Sequence, residues 1–166
     1  MLTKSEFIAA LARESAIAKH LASKLQLEHL SFRFTPAQRS TAELLQYYAT
    51  FMSGTVAYFV SGNFDAWDGY EAANVGVTPD TFGAALDRQL AEVTRLLAPL
   101  SDAEFATRGS KDFGGNPAPL VNLLTDLTLA FATGYKMQLF LQAKAAGLHT
   151  LCTPNLWFGV DPKPKT

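Results

Sequence analysis

Four residues in the last third of the chain share one face of a predicted helix: Phe131, Tyr135, Gln138 and Gln142. They follow one another at steps of three and four, the spacing that keeps side chains on one side of an α-helix. Phenol and amide groups can hydrogen-bond a ligand, whereas aromatic rings can also simply pack together. The surrounding segment, residues 117–146, is long and mostly apolar. This face is therefore expected to lie inside a helical bundle.

The same segment resembles the last bundle helix of the DinB-like proteins. In that family the helix typically reads His-x-x-x-His-Arg-Gly-Gln-Leu. Aligned through Gln138 and Leu139, the family's two histidines fall on Phe131 and Tyr135, and its arginine falls on Lys136. The resemblance implies an all-α protein, a DinB-like up-down four-helix bundle with long connections.

A second and less specific pattern supports the same resemblance. Residues 30–36, followed by 39–47, are similar to the family's approach to helix two and its leucine-leucine-x-histidine step. The family's third histidine falls on Tyr47, or one residue later on Tyr48. The resemblance thus implies that all three metal-ligand positions carry residues other than histidine.

The side chains at these positions are poor metal ligands. Zinc and similar ions take neutral imidazole nitrogens at about 2.1 Å, and Phe131 offers no donor atom. A tyrosine such as Tyr47 or Tyr135 binds a metal only after losing a proton whose ordinary pKa is about 10. We therefore expect no metal at the family positions and no cofactor.

Two interpretations of this face remain open. In the first, Tyr47, Phe131 and Tyr135 are core residues that fill the space of the family's metal site. In the second, Tyr47, Tyr135, Gln138 and Gln142 bring hydrogen-bonding groups toward a small pocket for a polar or aromatic ligand. Buried polar groups require partners, and helical bundles commonly build their sites between facing helices.

The elements that must position these residues are four long helices. Their starts are marked by Thr3 with Glu6, by Ser40 with Glu43, and by Pro79, all typical of helix N-termini. The predicted helices run over residues 4–27, 40–62, 79–98 and 117–146. Between them we expect a short turn after residue 101, a loop over 107–116, and an aromatic-rich loop over 63–71. That last loop either packs on one end of the bundle or covers a pocket.

Length and composition narrow the class of protein. A chain of 166 residues fits one domain, here expected over 1–160 with a flexible tail at 161–166. The formal net charge of −1 gives no attraction to nucleic acid or to an anionic membrane. Residues 44–64 lack charge but carry a polar stripe, which favours a bundle helix over a membrane span. The single cysteine, Cys152, is compatible with a reducing compartment, so we predict a cytoplasmic protein.

Two functions from different classes follow from these observations. The first is non-catalytic binding of a small molecule or a partner by a bundle without the family's metal site. The alternative is a metal-dependent transferase or hydrolase acting on a thiol-linked small substrate, with ligands recruited from His20, His29 or nearby acids. His20, His29 and His149 are scattered, so exposed or capping roles are expected for them. A homodimer is expected by analogy with related bundles.

Overall fold

The computed structural model describes residues 2–163 of the chain. In chain order the elements are α1 (Lys4–Ala22), a 3-10 turn (Leu27–His29), α2 (Thr41–Ser61), α3 (Trp67–Ala73), α4 (Pro79–Leu97), α5 (Asp102–Thr107), β1 (Gly109–Lys111), β2 (Pro117–Pro119), α6 (Leu120–Leu123), a π-helical segment (Leu124–Leu129), α7 (Ala130–Ala145) and α8 (Thr153–Phe158). α6, the π-helical segment and α7 follow one another without a break and form the fourth bundle helix. The predicted all-α four-helix architecture is confirmed.

The four long helices surround one hydrophobic core. α1 and α2 each pack against both α4 and α7, so they lie at opposite corners of the bundle. The connection over residues 23–40 spans that diagonal, which accounts for its length. Phenylalanine rings from three helices fill the centre and are fully or almost fully buried: Phe7, Phe51, Phe59 and Phe82.

The predicted starts of the first two helices are confirmed in atomic detail. Glu6 Oε2 accepts the Thr3 backbone N–H at 2.8 Å, and Thr3 Oγ1 accepts the Glu6 N–H at 3.2 Å. The same reciprocal pair joins Ser40 and Glu43 at the start of α2. These side chains satisfy backbone donors that the first helical turn leaves without partners. α2 then ends before Gly62, whose φ of 84° is a left-handed conformation that suits glycine.

Two predicted boundaries are wrong. The first helix stops at Ala22 rather than near residue 27, and the chain turns before a 3-10 turn. The fourth helix begins at Leu120, because residues 117–119 instead pair with 109–111 in an antiparallel hairpin. Asp112 closes this hairpin by accepting the backbone N–H groups of Gly114 and Asn116, each at 2.8 Å. A hairpin thus occupies most of the segment that we expected to be a loop.

The segment over 63–71 also differs from the prediction, since it contains the start of α3. The Trp67 ring packs against α2 at Gly54, where an added Cβ would be 2.3 Å from Trp67 Cε3. Only glycine leaves room for this contact. The aromatic-rich segment is therefore partly helical and packs on α2.

Asp161, near the end of the described chain, contacts α8 and the segment that follows α1. Asp161 accepts hydrogen bonds from Lys24 Nζ at 2.6 Å and from Asn155 Nδ2 at 3.0 Å. The predicted flexible tail began at this residue, and its last part, 164–166, lies outside the described residues. Over residues 2–163, the helices do not combine the length and apolarity that crossing a membrane requires.

Candidate binding site

The structure brings together Tyr47, Phe131 and Tyr135, the three residues that the sequence resemblance predicts at the family's metal-ligand positions. The ring centroids of Tyr47 and Tyr135 are 5.0 Å apart with the planes at 72°, an edge-to-face contact that aromatic pairs favour. Phe131 lies 6.1 Å from Tyr135. Phe51 of α2 sits beside them, 5.9 Å from Tyr47 and 5.5 Å from Tyr135. We call these four residues the aromatic cluster.

The hairpin extends this cluster at one end. Phe113, at its tip, stacks against Phe131 with the ring planes at 12° and the centroids 6.5 Å apart. Tyr58 of α2 holds the same tip by donating a hydrogen bond to the Asp112 carbonyl at 3.1 Å. The π-helical segment ends just before Phe131, so the α-helical spacing from Phe131 to Gln142 is retained as predicted.

The donor chemistry of the cluster does not suit a divalent metal. Burial is the main cause that raises the pKa of Tyr47 to about 12, and the neighbouring Tyr135 phenol raises it further, against a smaller opposing effect of Arg39. The phenol of Tyr47 therefore stays protonated near neutral pH, and Phe131 has no donor at all. Elsewhere in residues 2–163, no group of three or more histidine, cysteine, aspartate or glutamate residues is placed to hold a metal ion. The residues present do not fit the ion that the resemblance implies.

The two predicted glutamines lie beyond the cluster and differ from each other. Gln142 is fully buried, and its Nε2 donates to the backbone carbonyl of Arg39 at 2.8 Å. Its Oε1 is buried and finds no hydrogen-bond partner among residues 2–163. Gln138 is half-buried. Gln142 thus connects the fourth bundle helix to the segment that leads into α2.

An open cleft of about 570 Å³ lies on the other side of Tyr47. Its boundaries are the segment before α2, the first half of α2, and α3. The residues that line it are Arg33, Pro36, Ala37, Gln38, Arg39, Glu43, Gln46, Tyr47, Thr50, Trp67 and Glu71. Of the five predicted site residues, Tyr47 alone lines this cleft. Tyr135 contacts Tyr47, and Phe131 contacts Tyr135.

Arg39 is the functional candidate that the sequence did not reveal. Its guanidinium carbon lies 3.8 Å from the centroid of the Tyr47 ring, a cation–π contact. Within the described part of the chain Arg39 forms no ion pair, whereas Arg33 Nη2 lies 3.3 Å from Glu43 Oε2. The only available signal was its position directly before the capping residue Ser40, which does not indicate where the side chain points.

A buried ion pair joins α1 and α7 at a distance from the cleft. Lys136, which aligns with the family's arginine, is 1% exposed, and its Nζ lies 2.7 Å from Oε2 of Glu14. Nζ also lies 5.0 Å from the ring centroid of Trp157. Removing two charges from water is unfavourable unless they are paired. Lys136 therefore connects two helices electrostatically and does not line the cleft.

The histidines are not brought together. His29 is buried, and its Nδ1 accepts the Gln26 backbone N–H at 2.8 Å, which is a capping role. His20 contacts Asn155 Nδ2 through Nε2 at 3.0 Å, and His149 is exposed. The expectation of exposed or capping roles fits His29 and His149, whereas His20 is half-buried and lies within hydrogen-bonding distance of Asn155. The ligand set that the alternative function needs is not assembled in residues 2–163.

Comparison with known proteins shows the fold. The structure is similar to that of a DinB-like protein from Bacillus subtilis, YjoA, with a TM-score of 0.67 and 17% identity, covering 89% of this chain and 96% of that one. It is also similar to a DinB-like protein from Bacillus cereus, with a TM-score of 0.68 and 16% identity, covering 87% of this chain and 93% of that one. No protein-family model matches the chain, and no curated protein matches it by sequence.

Proposed function

Starting from the DinB-like fold of this chain, we propose that the protein binds a small polar or aromatic molecule in the cleft beside Tyr47 and does not catalyse a reaction on it. The observation that carries this proposal is the placement of Arg39. Its guanidinium lines the cleft, stacks on the Tyr47 ring and forms no ion pair within residues 2–163. An arginine held in this way offers a planar set of donors to a ligand.

The position of Arg39 is held from two directions. The Tyr47 ring contacts its guanidinium, and Gln142 donates to its backbone carbonyl. Tyr47 is in turn held by the edge of Tyr135. A binding group that is already ordered loses less conformational entropy when a ligand arrives. The degenerate metal-site residues therefore support the cleft from the interior of the bundle.

The size and lining of the cleft suit a small molecule. Small-molecule sites usually enclose about 300–1,000 Å³ and combine apolar surface with a few polar groups, and this cleft measures about 570 Å³. The Tyr47 and Trp67 rings supply the apolar surface. Gln46 supplies an amide group.

The polar groups of the cleft favour binding over catalysis. Glu43 accepts the Ser40 N–H at 2.7 Å, and this backbone hydrogen bond is the largest cause that holds the pKa of Glu43 below its usual value. It therefore remains an ionised acceptor and cannot donate a proton near neutral pH. The Thr50 hydroxyl donates to the Gln46 carbonyl at 3.0 Å, so Thr50 is not paired with a base that would activate it as a nucleophile.

The cellular setting and the assembly state are separate parts of the proposal. We infer a cytoplasmic protein without a nucleic-acid partner from the net charge of −1 and the single cysteine.

We also propose a homodimer, for which the exposed Trp157 and Phe158 of α8 are the candidate contact surface. Light scattering on wild-type protein and on Phe158→Ser tests this assembly. A wild-type mass of one chain would refute it.

A thermal-shift screen of small organic molecules tests the binding function. Ligand at about 100 times its Kd stabilises a protein by about 2.7 kcal/mol, which corresponds to a rise in Tm of roughly 5–10 °C for a chain of this length. Compounds that stabilise the wild type should fail to stabilise Arg39→Gln. They should still stabilise Arg13→Gln, a matched control on the exposed surface of α1. Binding that survives in Arg39→Gln, or a screen in which nothing stabilises the wild type, would refute the proposal.

A further inference from the structure

The charges around the cleft indicate the class of ligand, an inference that rests on the proposed binding function. We infer that the ligand is a small zwitterion with a planar apolar group, such as an aromatic amino acid or a related amino-carboxylate. The argument depends on which charged groups are already paired and on where the unpaired ones lie.

The charged residues of the cleft comprise two arginines and two glutamates. Two of these residues already form an ion pair, because Arg33 Nη2 lies 3.3 Å from Glu43 Oε2. Glu43 also accepts the Ser40 N–H. Arg39 and Glu71 remain, and neither forms an ion pair within the described part of the chain. The cleft therefore offers one uncommitted positive charge and one uncommitted negative charge.

Arg39 is suited to the anionic end of a ligand. Guanidinium groups bind carboxylates through two parallel N–H···O hydrogen bonds, which fix the orientation of the ligand as well as its affinity. The Arg39 guanidinium carbon lies 3.8 Å from the centroid of the Tyr47 ring, and Arg39 forms no ion pair within residues 2–163, so its N–H groups are available for such a pair. A carboxylate bound there would lie beside the Tyr47 ring.

Glu71 is suited to the cationic end. It lies on α3 four residues after Trp67, so the two side chains share one face of the helix, and both line the cleft. Glu71 and Trp67 therefore face the same cleft that Arg39 and Tyr47 line. The centroids of the Tyr47 and Trp67 rings are 6.4 Å apart.

This arrangement discriminates among ligand charges. A simple carboxylate would be attracted by Arg39 and repelled by Glu71, and a simple amine would meet the reverse. A zwitterion satisfies both groups at once, and the aromatic ring that it carries can contact the Tyr47 and Trp67 rings.

Isothermal titration with four probes tests the class: L-phenylalanine, 3-phenylpropionate without the ammonium group, phenethylamine without the carboxylate, and glycine without the ring. We expect L-phenylalanine to bind most tightly, with Kd at least about tenfold lower than that of each of the other three. Glu71→Gln should remove the preference for L-phenylalanine over 3-phenylpropionate. Asp68→Asn, a matched control on the exposed surface of α3, should retain it.

The outcomes separate this inference from the proposed function. If 3-phenylpropionate binds as tightly as L-phenylalanine, or if Glu71→Gln keeps the preference, the zwitterion assignment is overturned while an Arg39-dependent binding site stands. If none of the four probes binds but the screened compounds stabilise the wild type through Arg39, the ligand class is likewise overturned. If neither the probes nor the screened compounds bind, the proposed function fails as well.

Discussion

Replacing Gly54 with alanine should disturb the cleft through a single methyl group. A Cβ at this position would lie 2.3 Å from Trp67 Cε3 and 2.4 Å from Cζ3. Ordinary contacts begin near 3.4 Å, so the indole would have to move by about 1.1 Å, the difference between 3.4 and 2.3 Å. Overpacking of this kind costs about 1–3 kcal/mol.

The same substitution also has a favourable component. Alanine stabilises a helix interior by roughly 1 kcal/mol relative to glycine, so Gly54→Ala should destabilise the protein by about 0–2 kcal/mol in total. Gly134→Ala is the matched control, because Gly134 lies in α7 with no atom within 4 Å of an added Cβ. It should raise the Tm by roughly 2–4 °C for about 1 kcal/mol in a chain of this length.

Thermal unfolding of both variants, combined with titration of a ligand that depends on Arg39, tests this reasoning. Gly54→Ala should lower the Tm relative to Gly134→Ala, and it should weaken binding because Trp67 no longer lies beside Tyr47. Gly134→Ala should leave affinity unchanged. Equal increases in Tm with unchanged affinity in both variants would show that Trp67 does not occupy this position.

Four further variants test other parts of the structure. Lys136→Met should cost about 3–5 kcal/mol by leaving Glu14 buried and unpaired, whereas the double variant Glu14→Leu/Lys136→Met should be close to wild type or more stable, as chemical denaturation would show. Burial is the main cause that lowers the pKa of His20 from 6.5 in the folded protein, and the charge of Lys24 is the second. As the pH drops below about 6.5, the unfolded chain therefore binds a proton at His20 before the folded protein does, and the free energy of unfolding falls. His20→Gln should remove this part of the loss between about pH 7 and pH 5 in denaturation curves. Gln142→Leu removes the hydrogen bond to the segment before α2 and should weaken ligand binding while changing stability by only about 1 kcal/mol, measured by titration and thermal unfolding.

The sequence was most informative where a single local mechanism determines the structure. Reciprocal capping by Ser40 and Glu43 and the glycine at position 62 define both ends of α2 through nearest-neighbour chemistry, and both were predicted correctly. The helical spacing of Phe131 and Tyr135 likewise placed their side chains on one face. These features depend on residues within one turn of each other, so they can be recognised without knowledge of the fold.

The errors arose where the deciding contact is distant in sequence or belongs to a turn. Asp112 directs the hairpin through its own hydrogen bonds, and the hairpin occupies the residues at which we predicted the fourth helix to start. Arg39 reaches the site because Gln142, 103 residues later, holds its carbonyl. Composition and periodicity carry no information about such a contact. The cleft is formed by the packing of the helices, so the sequence alone did not predict it.

The indole N–H signals of nitrogen-15-labelled protein provide the most direct test of binding in the cleft. The chain has two tryptophans: Trp67 lines the cleft, and Trp157 of α8 lies beside Lys136. L-phenylalanine and 3-phenylpropionate would be titrated in turn, with Trp67→Phe used to assign the two signals. The account predicts a saturable shift of the Trp67 signal with no change at Trp157. A saturable shift at Trp157 with none at Trp67, or no shift at either tryptophan with both compounds, would contradict it.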